Sequence, residues 1–205
     1  MTNTKDQTQP ATLKGFLFKL RCHLLLRLWT RGLYLPPDRR LLEHVFIPQL
    51  AADQGIKRIL FVGVADYCDY RQRFPDAEFI TIDPQVSPEG RTGHIQDRLI
   101  NLGQYFASEH FDLIILNGVL GWGLNELSEI NATLKVCHAC LRKGGKLLIG
   151  LNETGAPAKV ELNSIEALGL YEPCNLPTMT VVRMDFSHPF DHDFTFAMYG
   201  RIVQD

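Results

Sequence analysis

The run Arg58-Ile-Leu-Phe-Val-Gly63 ends in a glycine, and the run Glu78-Phe-Ile-Thr-Ile-Asp83 ends, twenty residues later, in a carboxylate. A glycine closing a buried strand permits a tight reversal and lets a ligand approach the backbone. A carboxylate closing the next strand can accept both hydroxyls of a ribose. Asp97, in Gly93-His-Ile-Gln-Asp97, can accept an exocyclic amine such as that of adenine. A further run, Phe111-Asp-Leu-Ile-Ile-Leu-Asn117, ends beside them and is followed by Gly118. Taken singly, each residue has a plainer reading. Gly63 makes a strand-end turn, Asp83 and Asp97 cap helices or sit in loops, and Asp112 anchors a strand entry. The functional reading rests on their joint order.

A second group lies near the carboxyl end, in Ser187-His-Pro-Phe-Asp-His-Asp193. Histidine titrates near neutrality, so His188, Asp191 and His192 are candidate general bases toward a hydroxyl acceptor. The same side chains would suit a metal, and a polar hairpin turn also explains them; no metal is assigned. Trp122, in Gly118-Val-Leu-Gly-Trp-Gly123, could stack on a planar or cationic substrate or pack its own loop. Tyr34 and Tyr67 are further aromatic candidates for a substrate wall. Cys137-His-Ala-Cys140 has a CxxC spacing but sits inside a helical pattern with no second pair, which favours packing over zinc or redox use. His94 and His110 read as loop or surface residues.

These residues need elements to position them. The apolar runs at 58–63, 78–83, 111–117 and 146–151 do not alternate, as expected of strands buried on both faces. Residues 125–141 form a helical pattern with Leu127, Ile130, Leu134 and Val136 or Cys137 on one stripe, stopped by Lys143-Gly144-Gly145. Strands alternating with helices predict a doubly wound, mainly parallel α/β sheet. Residues 180–186 and 194–203 read as a closing antiparallel pair, the second placing Phe194, Phe196, Met198 and Ile202 on one side. Two helices precede the sheet. One spans 13–32; the other starts near Asp38, carries Leu41, Leu42, Val45 and Phe46 inward, and ends before Gly55. The expected organisation is a helical extension over 1–54 and a single sheet domain over 55–205.

Bulk properties narrow the classes. A chain of 205 residues with 45% hydrophobic and 21% charged residues is an ordinary globular protein. Its net charge of -2 offers no field for nucleic acid. Five scattered cysteines suit a reducing compartment, and no secretory signal or spanning segment is read, so the cytoplasm is expected. The helix at 13–32 carries Lys14, Lys19, Arg21, Arg27 and Arg31. It suits a lid or an arm for a homo-oligomer, with contact to an anionic membrane surface as the alternative.

The stretches Ile59-Leu-Phe-Val-Gly-Val-Ala-Asp66, Phe79-Ile-Thr-Ile-Asp83, His94-Ile-Gln-Asp97, Phe111-Asp-Leu-Ile-Ile-Leu-Asn117 and Leu141-Arg-Lys-Gly-Gly-Lys-Leu-Leu148 resemble, in order and spacing, the class I S-adenosylmethionine-dependent methyltransferases. The resemblance covers about residues 57–151. It implies a seven-stranded sheet with a closing antiparallel strand, S-adenosylmethionine as cofactor, and methyl transfer to a nitrogen or oxygen of a small molecule. It further implies a cofactor site built from Gly63, Val64, Ala65, Asp66, Asp83, Pro84, Asp97, Arg98, Asn117 and Gly118. Gly63 and Ala65 would face the methionine moiety, Asp83 the ribose, Asp97 and Arg98 the adenine, and Asn117 the floor. Three positions depart from the family pattern. Phe61 stands where an acid is usual, and Ala65 and Tyr67 where glycine is common; Asp66 is the nearest substitute acid. A non-catalytic or repurposed member of the fold, such as an assembly subunit or a cyclisation or elimination enzyme, is the alternative. A nicotinamide dehydrogenase is disfavoured, because the loop lacks the repeated glycines that admit a pyrophosphate.

Overall fold

The computed structural model describes Leu24 and residues 37–64, 70–152, 156, 158–176, 181–185 and 193–202. Of the helix expected at 13–32 only Leu24 is described, helical and exposed; its other residues lie outside the described residues, as do Tyr34, Ala65, Asp66, Tyr67, His188, Asp191 and His192.

Helix α1 runs over residues 37–52, α-helical over Pro37–Leu41 and Ile47–Ala52 and π-helical over Leu42–Phe46 between them. It begins at Pro37, so Asp38 lies inside the first turn rather than capping it. The π segment has a local cause: Pro48 carries no N–H to donate into the α-helical ladder. Strands follow at Arg58–Val62 (β1), Glu78–Ile82 (β2), His94–Ile95 (β3) and Phe111–Asn117 (β4). Helix α2, Leu127–Cys140, then leads into β5, Leu141–Asn152, followed by β6 (Tyr171–Pro173), β7 (Val181–Asp185) and β8 (Asp193–Arg201).

The sheet order is β3-β2-β1-β4-β5-β8-β6. Strands β1 to β5 are parallel to their neighbours, and β8 runs antiparallel to β5. β6 and β7 both pair with β8, β6 at Tyr199 to Arg201 and β7 at Asp193 to Ala197, so they share one edge position. The expected seven-stranded layout is thus met in seven positions, the last split between two strands. Only β8 reverses direction against the parallel body of the sheet.

Two differences from the sequence reading have local reasons. Lys143-Gly144-Gly145 does not stop α2, which ends three residues before Lys143, at Cys140. β5 has already begun at Leu141, opposite Phe111, and bulges before Lys146 joins Leu113. Gly144 turns this bulge at φ +67, and a β-carbon on Gly145 would meet the Leu141 side chain at 2.8 Å. On α2, Cys137 and not Val136 completes the buried stripe, and Leu127 is exposed.

Both faces of the sheet are covered. On one, Leu60, Val62, Ile82, Ile114 and Leu116 pack with Ile130, Leu134 and Cys137 of α2. On the other, Ile59, Phe61, Leu113, Ile115, Phe194, Phe196 and Met198 pack with Leu42, Phe46, Ile47 and Leu50 of α1. Burial raises the pKa of Cys137 and of Cys140, consistent with packing roles. Asp112 joins three segments. Its Oδ2 accepts the N–H groups of Lys57 and Arg58 at 2.8 Å, and its Oδ1 accepts from Arg142 Nε at 2.5 Å. Among the described residues no helix is long and apolar enough to cross a membrane.

Candidate functional site

The strand order reverses at β1, which has β2 on one side and β4 on the other. In open α/β sheets ligands sit at such a switch, beyond the carboxyl ends of the strands. Here a cleft of about 150 Å³ opens there. Val62 and Gly63 close β1 into it. Asp83, Pro84 and Gln85 enter from the end of β2, and Asp97 to Ile100 from beyond β3. Gly118, Val119 and Trp122 to Leu124 follow β4, and Glu129 comes from the first turn of α2.

Gly63 adopts φ +82, and a β-carbon there would lie 2.6 Å from the Asn117 carbonyl oxygen and 2.7 Å from Val119 Cγ2. No other residue fits this junction without moving β4. Asp83 is half-buried; its Oδ1 accepts the N–H of Gln85 at 2.8 Å, which orients the carboxylate. Among the described residues its Oδ2 takes no hydrogen bond, leaving one oxygen for a diol. Asp97 is more committed. Its Oδ2 accepts from the Tyr105 hydroxyl at 2.7 Å, and its Oδ1 from Asn101 Nδ2 at 2.9 Å and the Arg98 N–H at 2.6 Å. The Tyr105 hydroxyl above all, then Asn101 and the Arg98 N–H, hold its carboxyl below the usual value. Arg98 pairs with Glu129, joining the loop after β3 to α2 beside the cleft.

The structure therefore brings Gly63, Asp83, Pro84, Asp97, Arg98 and Gly118 to one cleft, and Trp122 with them. Two of the expected cofactor residues stand elsewhere. The Val64 side chain is buried with the α1 core and borders a separate polar pocket containing Arg71, Thr81 and Arg91. Asn117 is 7% exposed. Its Oδ1 is buried without a hydrogen-bond partner, over the Cα of Gly150 and near the rings of Phe194 and Phe196. Val64 lies beyond the end of β1, after the positive-φ turn at Gly63, and so departs from the face of Val62, whereas strand alternation explains Asn117. Leu116 faces α2 with the cleft, so Asn117 must face the α1 side.

His94 is corrected from a surface residue. It is a buried β3 residue bridging Thr81 Oγ1 at 2.7 Å and the Val86 carbonyl at 3.0 Å. Leu99, Ile100 and Glu129 were not anticipated as cleft residues. Leu99-Ile100 directly after Asp97-Arg98 was a readable signal; Glu129 had none, because it arrives from a helix across the cleft. Phe61, where an acid is usual in the family that the sequence resembles, is fully buried. Its ring lies 5.3 Å from that of Tyr70 and 6.2 Å from that of Phe79, on the sheet face away from the cleft.

No protein-family profile and no curated protein sequence matches the chain. Solved structures do. The N-methyltransferase NodS from Bradyrhizobium japonicum WM9 is 19% identical, with a TM-score of 0.61 over 80% of this chain and 97% of its own. The 1,6-didemethyltoxoflavin-N1-methyltransferase of Burkholderia thailandensis was solved with 1,6-didemethyltoxoflavin and S-adenosylhomocysteine bound. It is 14% identical, with a TM-score of 0.56 over 97% of this chain and 94% of its own. The [4+2]-cyclase SpnF is 14% identical, with a TM-score of 0.54 over 78% and 81%. The shared architecture is the class I S-adenosylmethionine-dependent methyltransferase fold.

Proposed function

We propose that the protein binds S-adenosylmethionine in this cleft and transfers its methyl group to a nitrogen or oxygen of a small molecule. The observation that carries the reading is the convergence of Gly63, Asp83 and Asp97 from three strand ends on the switch-point cleft. The cofactor, when bound, supplies an electrophilic sulfonium methyl. The chain's own residues bind and orient. Asp83 accepts the ribose hydroxyls through its open Oδ2, and Asp97 and Arg98 border the base. Gly63 and Gly118 allow close approach of the backbone, and Ala65 and Asp66 are proposed as further cofactor residues. Two neighbouring structures carry S-adenosylhomocysteine by their own descriptions, which supports this cofactor. For a hydroxyl acceptor, His188, Asp191 and His192 are the proposed bases, and Tyr34 and Tyr67 proposed acceptor walls.

The test is calorimetry with S-adenosylmethionine and S-adenosylhomocysteine on the wild type and on Asp83→Ala. Micromolar binding that is lost in the variant supports the site, and no binding by the wild type sinks it.

A second reading, a repurposed enzyme of this fold, is favoured by two observations: Phe61 replaces the usual acid, and a cyclase stands among the structural neighbours. Product mass separates the readings. Transfer adds a methylene to the acceptor, whereas cyclisation leaves an isomer.

A further inference from the structure

Trp122 is 49% exposed, although Gly121 and Leu124 of the same turn are buried. The turn does not need the indole as an anchor. The Val119 carbonyl accepts the N–H groups of Trp122, Gly123 and Leu124 at 3.1 to 3.2 Å, and the Gly121 N–H donates to the Leu124 carbonyl at 2.9 Å. Gly121, at φ +82, lies so close to the segment after β5 that a β-carbon would meet the Ala158 carbonyl oxygen at 2.5 Å. The Ala158 N–H in turn donates to the Gly121 carbonyl at 3.2 Å. A large aromatic is thus held half in solvent on a turn pinned by other groups, and it lines the same cleft as Asp83 and Asp97.

We propose that Trp122 is a cofactor-binding residue, the stacking face for the adenine ring, rather than part of the acceptor pocket. The proposal rests on the cofactor reading above. A purine offers polar edges and two apolar faces. Asp83 and Asp97 serve the sugar and the edge, and Leu99 and Ile100 supply aliphatic surface in the same cleft. The indole supplies a flat polarisable face whose exposure ends when a base covers it. Stacking of a base on an aromatic side chain is worth about five- to a hundredfold in affinity by alanine substitution.

The experiment compares the wild type, Trp122→Ala and Trp122→Phe in calorimetric titrations with two probes. One is S-adenosylhomocysteine; the other is 5′-deoxy-5′-methylthioadenosine, which keeps the base and ribose but lacks the amino-acid end. Trp122→Ala is expected to weaken both by about the same factor, roughly tenfold, and Trp122→Phe to retain most of the affinity. In a Trp29→Phe background Trp122 is the chain's only indole, and its emission is expected to change on adding either probe. If the wild type binds both probes and Trp122→Ala binds them equally well, with an unchanged melting temperature, the stacking role is overturned. If the wild type binds neither, the cofactor reading itself fails and the stacking role goes with it.

Discussion

Gly63 and Asn117 touch through their backbones. The Cα of Gly63 faces the Asn117 carbonyl so closely that a β-carbon would sit 2.6 Å from the oxygen. This contact brings the ends of β1 and β4 together at the switch point and shapes the floor between them. Replacing Gly63 by alanine adds that clash to the strain of a positive φ. Gly63→Ala is expected to destabilise the fold by about 2–4 kcal/mol, read from the urea midpoint. It is also expected to abolish S-adenosylhomocysteine binding. Retention of wild-type stability and binding would show that the junction relaxes freely.

Asp112 makes stability depend on pH. Burial pushes its carboxyl up, but the Lys57 N–H, the Arg142 guanidinium and the Arg58 N–H outweigh burial and hold it below the ordinary 3.8. A depressed carboxyl stabilises the fold fully above the unfolded value, and the contribution is lost as pH falls through the folded value. Asp112→Asn is therefore expected to cost about 2–4 kcal/mol at pH 7, because Arg142 and two N–H groups lose a charged acceptor. That gap should narrow as pH drops below about 3.8 toward the folded value. Urea unfolding of both proteins across pH 3 to 7 measures it. A gap independent of pH would contradict the assignment.

Phe61→Asp introduces the acid usual at this place in the methyltransferases that the sequence resembles, and the structure predicts that it harms the protein. The Phe61 side chain points into the aromatic group with Tyr70 and Phe79, not into the cleft. A carboxylate there is buried without a partner, and a cavity forms around it. The expected loss is about 3–5 kcal/mol in chemical denaturation, with no gain in cofactor affinity. Tighter binding by a stable variant would mean that the side chain reaches the ligand.

Cys137 is fully buried on α2, and burial raises its pKa. The native protein should leave it unmodified by an aromatic disulfide reagent at pH 8, with modification only after unfolding in urea. Peptide mass mapping reads each site. Rapid labelling of Cys137 in the folded protein would place it outside the core.

The strand ends at Gly63, Asp83 and Asn117 were legible in the sequence because an apolar run and its break are local features. Twenty residues between Gly63 and Asp83 admit one crossover, and Asp112 at a strand entry could be read as an anchor. The directions of side chains were not legible in this way. Asn117 was expected on the cofactor floor, yet its carboxamide lies over Gly150 beside Phe194 and Phe196. His94 was expected at the surface, yet it bridges Thr81 and Val86. Glu129 gave no signal until α2 carried it to Arg98. By itself, the sequence determined the kind and order of β1, β2, β4, β5, β7, β8 and α2, since these follow from runs of neighbouring side chains. Only the tertiary structure decided which face each residue serves and which distant group it meets. Register and packing join residues far apart in the chain, and a shift of one residue along a strand sends a side chain to the opposite face.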